Sequence, residues 1–210
     1  MLPPDEQAFA DAFHRRFFKQ WNTYARRWMG VRIVKYPQDL FLYHDLIYQN
    51  KPDIIIESGA YLGGGSIFFA SMCDLVGHGH VLSVDRRDLP GRPAHPRLTY
   101  IIGRTTAVDT QARIRDLVKD KTVMVVLDSD HRSAHVKREL THYGPMVTPG
   151  QFLVVEDTML GTVIPWKYSP DSPAIAVQWY LARHPEFEVV PLEDRYLVSM
   201  APGGWLRRKT

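Results

Sequence analysis

The chain has 210 residues, 45% hydrophobic and 23% charged, with a formal net charge of +3, which suits one substantial core and gives no footing for nucleic-acid binding. It contains no run of about 18 uncharged apolar residues to span a bilayer. The start, "MLPPDEQAFADAF", places acids and prolines where a secretory leader would be basic and then apolar. The expectation is a soluble protein in a reducing, cytoplasmic compartment, with its single cysteine, Cys73, as a buried structural thiol.

Residues 5 to 28 set Phe9, Phe13, Phe17, Trp21, Tyr24 and Trp28 at steps of three or four, with Arg15, Arg16, Lys19, Arg26 and Arg27 between them. This period predicts an amphipathic helix packed on the main domain. "MGVRIVKYPQDLFLYHDLIYQNKP" turns through Pro37 into a second helix with Asp39 near its start. Residues 1–52 are therefore expected to form an N-terminal helical cap, and residues 53–210 the main domain.

From residue 53 the pattern alternates. "DIIIESG", "HVLSVD", "LTYIIG", "VMVVLDSD" and "FLVVED" are short Ile/Val-rich runs that end in Glu, Asp or Gly. Helical periods separate most of them: "GGSIFFASMCDLV", "AVDTQARIRDLVKD", "SAHVKRELTHYGPMV" and "SPAIAVQWYLARH". The pattern predicts an α/β fold of Rossmann-like type with a mostly parallel sheet. "RRDLPGRPAHPR" carries three prolines and is expected to be an extended loop in place of a crossover helix. "MLGTVIPWKYSPDSP" is expected to be a long loop, and "FEVVPLEDRYLVSMAP" an antiparallel hairpin at the sheet edge, turning at "PLED".

"IIIESGAYLGGGS" runs from a strand through Gly59, Gly63, Gly64 and Gly65 into a helix, the place where a doubly wound sheet admits a nucleotide. Tyr61 stands where the dinucleotide fingerprint needs its second glycine, which weakens a nicotinamide-dependent reading. Glu57, just before the first glycine, is poorly placed beside a pyrophosphate but well placed to accept from an ammonium group. S-adenosylmethionine (SAM) has that ammonium and no phosphate. Asp85, at the end of the second strand, can take the ribose hydroxyls of an adenosine ligand. The cofactor-binding candidates are Glu57, Gly59, Tyr61, Gly63, Ser66, Asp85 and Arg86.

"VLDSDH" and "VVEDT" end at the same carboxyl edge if their strands are neighbours, which would gather Asp128 or Asp130 with Glu156 and Asp157. Converging carboxylates repel unless a cation lies between them. Hard oxygen ligands favour Mg²⁺ or another hard divalent cation. Such an ion could hold a substrate hydroxyl, lower its pKa and aim its oxygen at an activated methyl group. The competing reading is that Asp130 or Ser133 caps the next helix while Asp157 and Thr158 begin a loop. Asp128 and His131 are the catalytic candidates, with His131 as a general base or a hydrogen-bonding support, and His135 is read as structural.

The blocks "WMGVRIVKYPQDLFLYHDLI", "PDIIIESGAYLGGGSIFFASM" and "VLDSDHRSAHVKRELTHYGPMVTPGQFLVVEDT" resemble the cephalosporin hydroxylase family, which includes rhamnosyl O-methyltransferases. The resemblance runs from about Trp28 to the C-terminus. It implies the class I SAM-dependent methyltransferase fold, with Mg²⁺ held by strand-end carboxylates. By resemblance, Glu57, Gly59, Gly63 and Asp85 face SAM, and Asp130, Glu156 and Asp157 hold the metal; a catechol-type register uses Asp128 instead of Asp130. The expected activity is O-methylation of a hydroxyl on a small natural product or saccharide. Lys35, Tyr36, Trp166 and Lys167 are the substrate-side candidates. The alternatives are a nicotinamide-dependent oxidoreductase and a noncatalytic partner of a hydroxylase. Homo-oligomerisation through the N-terminal helix stays open.

Overall fold

The computed structural model describes residues 3–20 and 26–210, apart from the side chains of residues 19, 20, 193 and 194. Helix α1 (Pro4–Gln20) is followed by a short ribbon, β1 (Arg27–Trp28) with β2 (Val31–Arg32), and by α2 (Pro37–Asn50). Strands and helices then alternate: β3 (Ile54–Ser58), α3 (Gly64–Val76), β4 (His80–Asp85), β5 (Leu98–Ile102), α4 (Val108–Leu117), β6 (Val123–Leu127), α5 (Ser133–Tyr143) and β7 (Phe152–Val155). Two single-turn helices, α6 (Leu160–Val163) and α7 (Pro165–Tyr168), precede α8 (Pro173–Leu181), β8 (Phe187–Val189) and β9 (Trp205–Arg208). Among the described residues, no helix is long and apolar enough to cross a membrane.

The main sheet runs in the order β5-β4-β3-β6-β7-β9-β8. Strands β5 to β7 are parallel, and β9 runs antiparallel to both β7 and β8. Alternation along each strand splits the core in two. Ile54, Ile56, Val125, Leu127, Leu153 and Val155 face α4, α5 and α8. Ile55, Met124, Val126 and Val154 face α2 and α3, meeting Leu42, Tyr43, Phe68 and Phe69. Each such buried side chain contributes roughly 1.5–3 kcal/mol. A third cluster gathers Phe17 of α1, Tyr36, Met159, Leu160, Val163, Tyr168 and Met200.

Three segments differ from the sequence-based expectation. Helix α1 ends at Gln20 and Trp28 belongs to β1, because Met29 and Gly30 both take positive φ and make the tight turn that pairs Trp28 with Val31. The Trp28 ring instead meets Phe68 edge-on at 5.0 Å; Trp21, Tyr24 and the Lys19 side chain lie outside the described residues. At the C-terminal edge, Leu192–Arg195 forms a 3-10 turn, and the partner of β8 is Trp205–Arg208. Trp205, its indole fully buried against Tyr43 at 4.9 Å, pairs with Val154 and fixes β9 beside β7, and β8 adds to the other edge of β9. "MLGTVIPWKYSPDSP" contains α6 and α7, with Pro165 pre-set for the first turn of α7. The proline-rich connection between β4 and β5 runs without a helix, as its prolines require.

Helix α1 is fixed partly by a buried polar pair, His14 Nδ1 and Tyr36 OH at 2.8 Å. Burial lowers the His14 pKa from 6.5 to about 4, against a smaller upward pull from Asp11. The unfolded chain therefore takes up this proton near pH 6.5 and the folded chain does not. Stability from His14 is present above pH 6.5 and falls as the pH drops toward 4, by up to about 3 kcal/mol. Urea unfolding of wild type and His14→Gln across this range should show the difference between them shrinking toward low pH.

Candidate active site

Strands β3, β4, β6 and β7 end together above a cavity of about 590 Å³. Gly59 adopts φ +95°, and a Cβ there would run into the Asp128 carbonyl and Ser129 Cα, so the turn after β3 lies directly against the end of β6. Gly65 leaves the space that Glu57 Oε1 and Lys35 Cε occupy. Glu57 is buried, and its Oε2 accepts from Ser66 Oγ at 2.5 Å and Ser83 Oγ at 2.6 Å. Burial raises its pKa to about 7, against the opposing pull of Lys35 and the two hydroxyls.

At the end of β4, Asp85 Oδ1 accepts the Arg87 N–H at 2.9 Å, and Oδ2 accepts the Tyr61 N–H at 2.9 Å. Arg92 Nη2 lies 3.0 Å from the same Oδ2, and Arg92 Nε donates to the Tyr61 carbonyl at 2.8 Å. The loop that replaces the crossover helix thus sends one guanidinium back to tie the acid to the glycine turn.

Period-two alternation also governs the acids. Glu57 follows Ile55, Asp128 follows Val126 and Glu156 follows Val154, so all three point to the face covered by α2 and α3. There Lys35, from the segment between β2 and α2, places Nζ 2.7 Å from Glu156 Oε1 and 3.0 Å from Asp128 Oδ2. Tyr43 of α2 donates its hydroxyl to the same Glu156 Oε1 at 2.5 Å. Burial alone would lower the Lys35 pKa, but Asp128, Glu156 and Glu57 outweigh it and the pKa is raised.

Asp157 comes from the next residue, held at φ +61°. Its Oδ2 lies 3.2 Å from His131 Nε2, while its buried Oδ1 has no hydrogen-bond partner among the described residues. Burial raises its pKa to about 7, opposed by His131 and reinforced by Asp128 and Glu156. Asp128, His131 and Asp157 each bring one potential ligand atom to a point where all lie within 4.8 Å of one another.

The family model for "Rhamnosyl O-methyltransferase/CmcI" matches residues 20–209. The chain belongs to this rhamnosyl O-methyltransferase/CmcI family. A rhamnosyl O-methyltransferase of Mycobacterium leprae is 30% identical over 220 residues, covering 100% of this chain and 94% of that one. Its counterpart in Mycobacterium tuberculosis is 26% identical, covering 96% and 85%. Among solved structures, CmcI with Mg and SAM superposes with a TM-score of 0.66 at 20% identity, over 91% of this chain and 84% of that one. MycE methyltransferase from the mycinamycin biosynthetic pathway, with Mg and SAH, gives 0.51 at 23% identity over 70% and 41%. The fold of this family member is that of the class I methyltransferases.

In this rhamnosyl O-methyltransferase/CmcI family chain, Glu57, Gly59, Tyr61, Asp85, Arg86, Asp128, Asp130, His131, Asp157, Lys35 and Lys167 all line one cavity. Asp130 is exposed and its Oδ1 accepts the Arg132 N–H at 3.0 Å in a turn ahead of α5, whose N-cap is Arg132 and which has no side-chain cap, so neither Asp130 nor Ser133 caps it. Glu156 is 3% exposed and turned to Lys35 and Tyr43. Ser66 supports Glu57 from below, and Gly63 faces Tyr100 and Pro93. Tyr36 is buried in the third cluster between Phe17 and His14, while Trp166 is 84% exposed. Sequence reasoning missed Arg92 and Tyr43. Arg92 sits in an aperiodic loop that gives no signal; Tyr43 could have been found by matching the strand-end parity of Glu156 to the inner face of α2.

Proposed function

We propose that this chain is a SAM-dependent, divalent-metal-assisted O-methyltransferase acting on a hydroxyl of a small natural product or saccharide. The observation that carries the reading is the convergence of Asp128, Asp157 and His131 in the cavity that the glycine turn and Asp85 also line. Asp157 tests the fit to a metal: a buried carboxyl oxygen with no hydrogen-bond partner among the described residues, on a residue in left-handed backbone, is satisfied by a cation. Asp128 and Asp157 would hold a hard ion such as Mg²⁺, which when bound supplies Lewis-acid polarisation at a fixed point. SAM supplies a methyl group on a positive sulfur.

The remaining work falls to the chain. Asp85, steadied by Arg92, offers its carboxylate to a ribose, beside Gly59, Ala60 and Tyr61 of the glycine turn in the same cavity. His131 donates its Nε2–H to Asp157 Oδ2, which leaves Nδ1 as the ring nitrogen able to accept the proton of a substrate hydroxyl. Phe18, Leu160, Ile164 and Tyr168 form an apolar wall over the polar floor, which excludes water and leaves room for the body of the substrate. Lys167 stands at the same wall, and exposed Trp166 beside it. Methyl transfer is an in-line displacement, so alignment and proton removal are the main tasks. The names of the relatives favour a saccharide hydroxyl, and the buried lone cysteine accords with a cytoplasmic setting.

The test is calorimetry with SAM and SAH, followed by transfer of labelled methyl from SAM to rhamnosides, with and without EDTA. Saturable SAM binding, transfer lost on chelation and regained with Mg²⁺ are the expected results. A folded wild-type protein that does not bind SAM overturns the reading.

A further inference from the structure

The acid cluster contains a cation of its own. Lys35 is 3% exposed, yet its Nζ sits between Glu156 Oε1 and Asp128 Oδ2, at 2.7 and 3.0 Å, with Glu57 close behind across Gly65. It is also among the residues that line the cavity. Glu57, Asp128 and Glu156 share one face of the sheet, and Asp157 adds a fourth carboxylate beside Asp128. Such a group cannot stay buried and ionised without a positive charge inside it. Lys35 supplies that charge from an element outside the parallel sheet, and Tyr43 fastens the same Glu156 oxygen from α2 at 2.5 Å.

We propose that Lys35 is a built-in counter-cation that works against the divalent ion: the ammonium and the metal share Asp128, and each weakens the other's hold on the acid cluster. This rests on the metal-assisted reading of the site. Lys35 is thus a positioning residue with two consequences. It keeps the metal-free site folded, with its carboxylates in place, and it holds metal affinity below what the bare acids would give. Its ammonium repels a second positive charge bound to the same carboxylate, and any ion that binds must neutralise an already half-neutralised cluster.

The experiment is Mn²⁺ and Mg²⁺ binding, by calorimetry and by the Mn²⁺ resonance signal, for wild type, Lys35→Met and Lys35→Arg, with melting temperatures recorded metal-free and metal-loaded. Lys35→Met should bind Mn²⁺ at least about tenfold tighter than wild type, and Lys35→Arg within about twofold of it. Metal-free Lys35→Met should melt lower than wild type, and added Mg²⁺ should raise its melting temperature by more. A folded Lys35→Met protein whose metal affinity is unchanged or weaker overturns the proposal. If Lys35→Met is unfolded without metal, Lys35→Gln prepared in Mn²⁺ decides: folding that is lost on chelation supports the proposal, and an unfolded protein in saturating Mn²⁺ overturns it. SAH titration of the wild type separates the two readings. With SAH bound and no metal effect at Lys35, only the counter-cation falls; with neither SAH nor metal bound by any form, the methyltransferase reading falls with it.

Discussion

Asp157→Asn should lose methyl transfer by roughly a thousandfold and divalent-metal affinity by at least about a hundredfold, while SAH affinity stays near that of wild type. Asn tolerates left-handed backbone as well as any residue with a Cβ, so the φ of +61° is kept and the change is confined to one charge. That charge is expensive where it stands: the carboxyl is buried, one oxygen has no partner among the described residues, and its pKa is pushed up to about 7. A carboxylate with a raised folded pKa weakens the fold as the pH climbs from its unfolded value through 7, so at pH 8 removing it should strengthen the metal-free protein. A rise of roughly 3 °C in melting temperature is expected, alongside the loss of function. Retained metal affinity in Asp157→Asn would place the ion elsewhere.

Gly59→Ala should destabilise the protein by roughly 3–5 kcal/mol, a large part of the stability of an ordinary domain. Two costs combine. The alanine must adopt φ near +95°, and its methyl group meets backbone atoms of Asp128 and Ser129, which cannot rotate out of the way as a side chain could. The ends of β3 and β6 would be forced apart, carrying Asp128 away from Asp157. Denaturant unfolding should show a midpoint far below wild type, and whatever folded protein remains should bind SAH weakly. A midpoint equal to that of wild type would mean that the turn relaxes without moving β6.

The strand-end acids and the glycine turn were legible because a parallel sheet puts every strand end at one edge, so chain order alone collects Glu57, Asp85, Asp128, Glu156 and Asp157 there. The direction in which each side chain points was also written in the sequence, as the parity from Val126 to Asp128 and from Val154 to Glu156. Parity places those two acids on one face, but it does not place a lysine between them. Lys35 lies 93 residues from Asp128 and 121 from Glu156, and its pairing depends on how the ribbon and α2 dock. Arg92 was invisible for a related reason: its loop has no period from which to infer a direction. The C-terminal pairing went to "WLRR" instead of "RYLVSMAP" because the buried Trp205 fixes β9 beside β7 and β8 adds to its other edge, whatever the strand propensity of the earlier segment.

The third apolar cluster shares no member with the two that flank the sheet. Its residues come from α1, α6, α7 and the segments around Tyr36 and Met200, and several of them form the wall opposite the acids. The wall nevertheless touches the acid floor at two points, the Leu160 N–H on the Asp157 carbonyl at 3.1 Å and the Tyr168 ring 6.4 Å from that of His131. Residues in contact couple on substitution, so of the wall positions Phe18 and Ile164 are the ones at which the shape of the cavity can be altered with least disturbance of the carboxylates.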